Sequence, residues 1–303
     1  MLNLWKAAGR GVGAWLAAGL CTVAYAQGIA RPGTINYVEG NAMLDGQAIA
    51  VRQLGSLELQ PGHVLQTGAG KAEMLLTPGV FLRLGDNSSV KMVSPSLTDT
   101  RVELLRGEAL VEVDQVAKQN DLEVIEGSAH TRLEKRGIYA FQTAQPGVAV
   151  FEGQASVDEN DRTVDVGKGK RLDLASSSLK LQKFDRHQTD NLYAWSDLRS
   201  QYVAQANAST AQTVVMNNPY WWYGTGWYWN PWFSSWAFVP GAGFYGSPFG
   251  GFGFYSPAFW YYNAPYRIGG GVIGRGPGVA AFRGGAAFAR GGFGGGHFGG
   301  AHR

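Results

Sequence analysis

Residues 104–113 read Leu104-Leu105-Arg106-Gly107-Glu108-Ala109-Leu110-Val111-Glu112-Val113. Two short apolar runs meet at a glycine followed by a polar residue, the signature of two strands joined at a tight bend. The same texture extends from about Gly33 to Leu174, with runs such as Ile35–Val38, Ala72–Leu76, Val80–Leu84, Ile138–Phe141 and Val148–Phe151 set between Gly, Pro or Asp-Gly. No stretch of this region keeps a helical period for ten residues; the closest, Asp114–Asp121, is short and polar. One mainly β domain over 33–174 is therefore expected, long enough to bury a single core.

The bend at Gly107 recurs. Aligning Gly40, Gly107, Gly127 and Gly153 superposes an apolar pair, a charged residue, Gly, a polar residue and Ala in all four copies. Gly takes positive φ without steric cost, so these four are predicted structural turn glycines, in type II′ hairpins or bulges. The alanine two residues later is expected to face a crowded interior.

Three further runs extend this pattern: Pro61–Gly68, Lys71–Leu76 and Gly79–Met92, leading into Leu104–Val113. Together they resemble the FecR domain, named for the periplasmic part of a bacterial ferric-citrate signal transducer. The resemblance covers about Gly33 to Leu174. It implies a β-sandwich or jelly-roll-like domain that works by contacting other proteins and brings no catalytic residues. A transducer of that family also has a cytoplasmic sigma-factor-handling segment and a membrane span. Here ten residues precede the apolar leader, and Ile138 follows Gly137 where the family often has a Gly-Thr strand. A role in sigma-factor or iron-uptake signalling is thus the weakest of the roles the resemblance implies.

The N-terminus reads as an export signal over 1–26. Lys6 and Arg10 form a basic start, Val12–Leu20 an apolar run too short to span a bilayer, and Ala24-Tyr25-Ala26 a cleavage site before Gln27. Export to the periplasm, outer envelope or exterior is expected, with no membrane span in the mature chain. Cys21 is the sole cysteine and leaves with the leader, which excludes disulfides and thiolate chemistry from the mature chain.

A polar linker is expected over 175–184 and a helix over 185–206. Leu192, Trp195, Leu198 or Arg199, Tyr202, Val203 and Ala206 fall at three- and four-residue steps, and Thr189 or Asp190 is placed to cap. Beyond it the composition changes. Glycine reaches 44 of 303 residues, about twice the usual share of ~7 %, and it concentrates with aromatics at this end.

Residues 219–267 form an aromatic, Gly- and Pro-rich segment in which no regular central strand is expected. Residues 268–303 form a Gly/Arg-rich tail expected to be disordered. From Pro219 onward the charges are five arginines, Arg267, Arg275, Arg283, Arg290 and Arg303. The whole chain carries +3, so losing Lys6 and Arg10 leaves the mature segment before Pro219 at about −4.

Candidate interaction residues are Trp195 and Tyr202 on the helix, and Trp221, Trp222, Trp227, Trp229, Trp232, Trp236 and Trp260 in the aromatic segment. A chain cut at Asn218 is expected to be soluble and monomeric, and one retaining the segment to associate. Sparse arginines in an exported chain argue against nucleic acid.

The search for chemistry yields little. Gly68-Ala69-Gly70-Lys71-Ala72 imitates the end of a phosphate loop but has Leu65 and Ala72 where Gly and Ser or Thr belong, and reads as a turn. Asp158-Glu159-Asn160-Asp161 lacks the Gly and distal Glu of a calcium loop. No cofactor, metal site or catalytic residue is predicted, and Asp and Glu on strands are read as solvated faces.

The expected function is that of a non-enzymatic, exported interaction or scaffold module of FecR type. Its partner is expected to be an envelope protein or a cell-wall component, with self-association through the aromatic segment. The alternative is an envelope-surface or glycan-binding protein whose aromatic tail supplies the affinity.

Overall fold

The computed structural model describes residues 30–176, 178–217, 224–263, 266–268 and 271–273. The leader with Cys21, the pair Trp221 and Trp222, and the tail beyond Ile273 lie outside them. The strands are β1 (Ile35–Leu44), β2 (Gln47–Ala48), β3 (Val64–Leu75), β4 (Val80–Leu84), β5 (Ser89–Ser96), β6 (Asp99–Arg106), β7 (Glu108–Val113), β8 (Asp121–Glu126), β9 (Ala129–Leu133), β10 (Gly137–Gln142), β11 (Gly147–Glu152), β12 (Gln154–Glu159), β13 (Arg162–Gly167), β14 (Lys170–Asp173) and β15 (Lys180–Lys183). Helix α1 (Asn191–Asn217) follows. Then come hairpins β16 (Gly226–Asn230) with β17 (Ser235–Val239) and β18 (Phe244–Gly246) with β19 (Gly253–Tyr255), helix α2 (Pro257–Asn263), and β20 (Tyr266–Ile268) with β21 (Gly271–Ile273).

The class is mainly β, as read from the sequence. Strands β1–β15 form a single sheet in the order β13-β12-β9-β8-β6-β5-β3-β4-β7-β10-β11-β14-β15, with β1 on β3 and β2 on β1. All pairs are antiparallel except β6–β8. The two ends approach each other, β13 packing beside β11 and β14. The sheet therefore curls into a near-barrel around one core, into which strands from β1 to β14 send Ile35, Leu82, Val111, Tyr139, Val150 and Leu172.

The repeated glycines have φ of 70°, 80°, 61° and 101° at Gly40, Gly107, Gly127 and Gly153. They serve three different geometries. Gly40 sits at a bulge in β1, and Gly127 opens the two-residue β8–β9 turn. Gly107 and Gly153 stand where the chain leaves one part of the sheet for another, β6 to β7 and β11 to β12. A Cβ at Gly107 would stand 2.3 Å from Ser88 Oγ, so space as well as φ demands glycine. Ala42, Ala109, Ala129 and Ala155, two residues on, are all buried.

Strand β4 explains the rest of the architecture. All five of its residues are buried, although alternate side chains of a strand point to opposite faces. Val80, Leu82 and Leu84 face the barrel core, while Phe81 and Arg83 face outward beneath a second layer. That layer is α1 with the β16–β19 hairpins, whose Val203, Trp227, Trp236, Phe238 and Phe254 cover Leu75 and Phe81. Further along, Leu192 and Trp195 of α1 cover Leu110, Ile138 and Phe151.

Several expectations change here. The helix predicted over 185–206 spans Asn191–Asn217: it starts after 185 because Asp190, one of the two expected caps, accepts the Tyr193 N–H on Oδ1 at 2.7 Å. It continues past Ala206 because Asn207, Thr210, Ala211 and Val215 are buried. Within the predicted linker, Lys180–Lys183 pairs with β14 as an edge strand.

In the aromatic segment, Gly and Pro do not prevent strands but limit them to short hairpins, with Pro231 in the β16–β17 turn. Gly68–Ala72 is not a turn but part of β3. Gly70 is glycine there because a Cβ would lie 2.3 Å from the Glu39 carbonyl across the β1 bulge. Among the described residues, no helix is long and apolar enough to cross a membrane.

Candidate functional site: a charge network and the cleft above it

Between the outer face of the sheet and α1 lies a buried ionic network. Register places Glu73 of β3 opposite Arg83 of β4, and Phe81 opposite Glu112 of β7. Arg83, with its side chain fully buried, donates from Nε to Glu73 Oε2 at 2.8 Å and from Nη1 to Glu112 Oε2 at 2.7 Å. Helix α1 completes the set. Arg199 Nη2 donates to Glu73 Oε1 at 2.8 Å and Ser200 Oγ to Glu112 Oε1 at 2.6 Å. From the hairpin layer, Ser247 Oγ also donates to Glu112 Oε1, at 3.0 Å. Asn36 donates to Glu73 and accepts the Trp236 N–H, tying β1 to β17.

Burial pushes the Glu73 carboxyl up, but the charges of Arg199 and Arg83 outweigh it and hold it at about 2. Asp114, next to the network, is driven the other way by burial and by the Glu112 charge. Two guanidiniums and two carboxylates thus neutralise one another inside the protein, with Arg83 Nη2 left without a hydrogen-bond partner, an arrangement that tolerates no missing charge. Sequence patterning missed all of it, because a charge inside a strand was read as solvent-facing. The available signal was Val80-Phe81-Leu82-Arg83-Leu84, apolar on both parities, which marks a strand covered on both sides.

The network positions one end of an open cleft of about 400 Å³. Helix α1 lines it with Trp195, Leu198, Arg199 and Tyr202, and β1 with Tyr37 and Glu39. Phe233 and Ser235, at the β16–β17 turn, form the far wall. Its groups are fixed in place. Trp195 Nε1 donates to Glu39 Oε2 at 2.8 Å. The Arg199 guanidinium, held by Glu73, lies 4.1 Å from the centre of the Tyr37 ring, a cation–π contact. Buried Arg199 Nε has no hydrogen-bond partner.

The candidate interaction residues divide sharply. Trp195, Trp227 and Trp236 are buried; Trp227 packs edge-on to Phe81 at 5.0 Å, and Trp236 donates to the Gly55 carbonyl at 2.7 Å. Trp229 is half-buried, 5.6 Å from Trp236, and Trp260 is half-buried in α2. Tyr202 (47 % exposed) and Trp232 (87 %) remain open, as does Leu198 (51 %), which faces outward while Arg199 faces in. Residues 224–263 are therefore a packed layer of the fold rather than a separate adhesive tail. Among the described residues, no three His, Cys, Asp or Glu converge as metal ligands.

Comparison with known proteins bears on the sheet. Two crystal structures of a "putative anti-sigma factor" from Parabacteroides distasonis ATCC 8503 are similar at 14 % and 13 % identity, each with a TM-score of 0.34. Each match covers 40 % of this chain and 59 % of that chain, short of two thirds of the latter's length. No curated protein matches the chain. Residues 63–156 match the family described as FecR protein. The match runs from the start of β3 into β12 and takes in Glu73, Arg83 and Glu112 but no residue lining the cleft. Within the near-barrel, the segment from β3 into β12 is thus the part of this chain that matches the FecR family.

Proposed function

We propose that the protein is a non-enzymatic, exported protein-interaction module of FecR type, which makes its contacts through the surface around the α1 cleft. The observation that carries this reading is the exposure of Leu198 and Tyr202 at a cleft with pre-positioned rings and a held guanidinium, with Trp232 exposed on the turn that supplies Phe233 to the cleft wall. Trp, Tyr and Arg around a pocket are the residue types that dominate binding energy at protein interfaces. The reading of 1–26 as a cleavable leader places the contact outside the cytoplasm, and N-terminal sequencing tests it by finding Gln27 or Met1 first.

Photo-crosslinking in intact cells tests the contact itself. A photoreactive residue at position 198 or 232 should give discrete protein adducts. The same residue at position 180, on the charged edge strand β15, should not. Equal labelling at all three positions, or none at any, overturns the proposal.

A further inference from the structure

Helix α2 and the β18–β19 hairpin carry a patch of rings. Phe244 of β18 stacks on Phe259 of α2 with centroids 5.9 Å apart and meets Tyr255 of β19 at 4.8 Å. One helical turn on from Phe259, Tyr262 continues the same face of α2, and it contacts Tyr261 at 5.2 Å. Phe244 and Tyr261 are each 42 % exposed, and Tyr262 is 80 % exposed. The patch is held in shape from below. Ser256 Oγ accepts the Phe259 N–H at 3.1 Å, and Asn207 of α1 binds both the carbonyl and the N–H of Tyr255.

The charge around these rings is one-sided. From Ser200 to Tyr266 the sequence contains no Asp, Glu, Lys, Arg or His. The elements that build the patch therefore bring no charge to it, whereas a soluble surface ordinarily mixes both signs over about a quarter of its positions. The charges joined to this region are cations. Arg136 Nε donates to the Gly246 carbonyl of β18 at 2.8 Å. Arg267 of β20 follows α2 in the chain, the first of five arginines that run to the C-terminus with no Asp or Glu among them.

We propose that this patch lies on an anionic lipid surface, with Phe244, Tyr261 and Tyr262 entering the headgroup layer and Arg136 and Arg267 facing its phosphates. Tyr combines an apolar ring with a polar tip, the combination favoured at the boundary between headgroups and acyl chains. The rings enter without dragging a charge out of water, and cations beside them are attracted by the negative surface potential of such a lipid layer. A protein partner would instead be selected and oriented by complementary charges of both signs, which the patch does not offer. The mode is adsorption rather than spanning, since no described helix is long and apolar enough to cross a membrane. The patch shares no residue with the lining of the α1 cleft, so this contact goes beyond the protein-contact reading and does not depend on it.

Co-sedimentation of the chain from Gln27 onward with vesicles tests the proposal. Phosphatidylcholine vesicles containing about one third phosphatidylglycerol should retain the protein. Binding should fall several-fold with phosphatidylcholine alone and on raising the salt concentration. Phe244→Ser combined with Tyr262→Ser should weaken it about tenfold with the circular dichroism spectrum unchanged. Leu181→Ser on β15, at a position as exposed as Phe244, should leave it as it was. The chain from Gln27 onward has no native cysteine, so a polarity-sensitive dye on Tyr262→Cys reads the patch directly. Its emission should move to the blue on the mixed vesicles, and that of the same dye on Leu181→Cys should not.

Failure to sediment with either kind of vesicle overturns the proposal. So does binding that the double serine variant leaves unchanged, or a dye at position 262 that does not respond on vesicles the protein has bound. A dye response to lipid-free envelope proteins, with none to vesicles, assigns the patch to a protein partner and overturns it equally.

Discussion

Arg83 is the residue on which both layers depend. Its guanidinium binds Glu73 and Glu112 at zero exposure, and the helix and hairpins reach the same two carboxylates. Arg83→Met should therefore lower stability by about 3–5 kcal/mol, the cost of leaving buried charge unpaired, read as a fall in the urea midpoint. Replacing Glu73, Arg83 and Glu112 together by apolar residues of similar volume should recover much of that loss. If Arg83→Met unfolds like the parent, the network does not hold the layers together.

Glu126 supplies a pH dependence of the opposite kind from Glu73. Burial raises its carboxyl from 4.5 to about 7. Between those values the folded state binds more protons than the unfolded one, so this group's contribution falls as pH rises from 4.5 through 7. Glu73, held at about 2, instead contributes fully above 4.5 and loses its contribution as pH drops toward 2. Melting temperature should thus decline from pH 5 to 8, and Glu126→Gln should flatten that decline. At this scale the glycines were legible, because positive φ leaves a mark in residue type. The charges were not, since a buried and a solvated carboxylate look alike until the opposite face of the strand is known.

At the scale of elements, the most informative difference is in the hairpins. Gly and Pro every few residues argued for a partly ordered, adhesive segment without regular central strands, but Asn side chains supply further order. Asn207 of α1 donates to the Phe238 and Tyr255 carbonyls and accepts the Tyr255 N–H, joining two short hairpins to one helix. Asn230 likewise donates to the Ala206 carbonyl and Thr210 Oγ1. Such long-range amide bridges leave no periodic trace in a sequence. Their consequence reverses the expectation for a chain cut at Asn218.

Trp227, Trp236, Phe238 and Phe254 are all buried. Each such ring removes roughly 150–250 Å² from water, about 4–6 kcal/mol at ~25 cal/mol per Å² as an upper bound. Cutting them away uncovers Leu75, Phe81 and Val203 and strands the polar ends of Asn36 and Asn207. The truncated chain should therefore bind a hydrophobic dye and scatter more light than the full chain. A monodisperse, dye-silent truncation would show that the hairpins are dispensable to the sheet.

At the scale of the whole molecule, the boundary of the FecR match and the boundary of cooperative structure do not coincide. The matched segment ends in β12, yet Glu73 and Glu112 inside it are satisfied by Arg199, Ser200 and Ser247 outside it. Composition divided the chain near Asn218, because charge and glycine content change there. The physical division is between faces of the sheet, and β4 belongs to both. If the outer layer lifted off alone, Glu73 would lose Arg199, Glu112 would lose both serine donors, and Phe81 would meet water. Those losses fall on β3, β4 and β7, neighbouring strands in the middle of the sheet that also line its core, so partial opening has little to recommend it over global unfolding. Residues 30–263 should therefore unfold in one transition, with calorimetric and van't Hoff enthalpies equal, and amides of α1 should exchange at rates set by the same opening as those of β4. Asn36→Ala, which unties β1 from β17 and removes one donor from Glu73 while leaving both arginines in place, should lower the melting temperature while keeping that single transition. Two separated transitions in the parent, the earlier one releasing α1 and the hairpins, would show that the second layer is an attachment to the sheet and not part of its core.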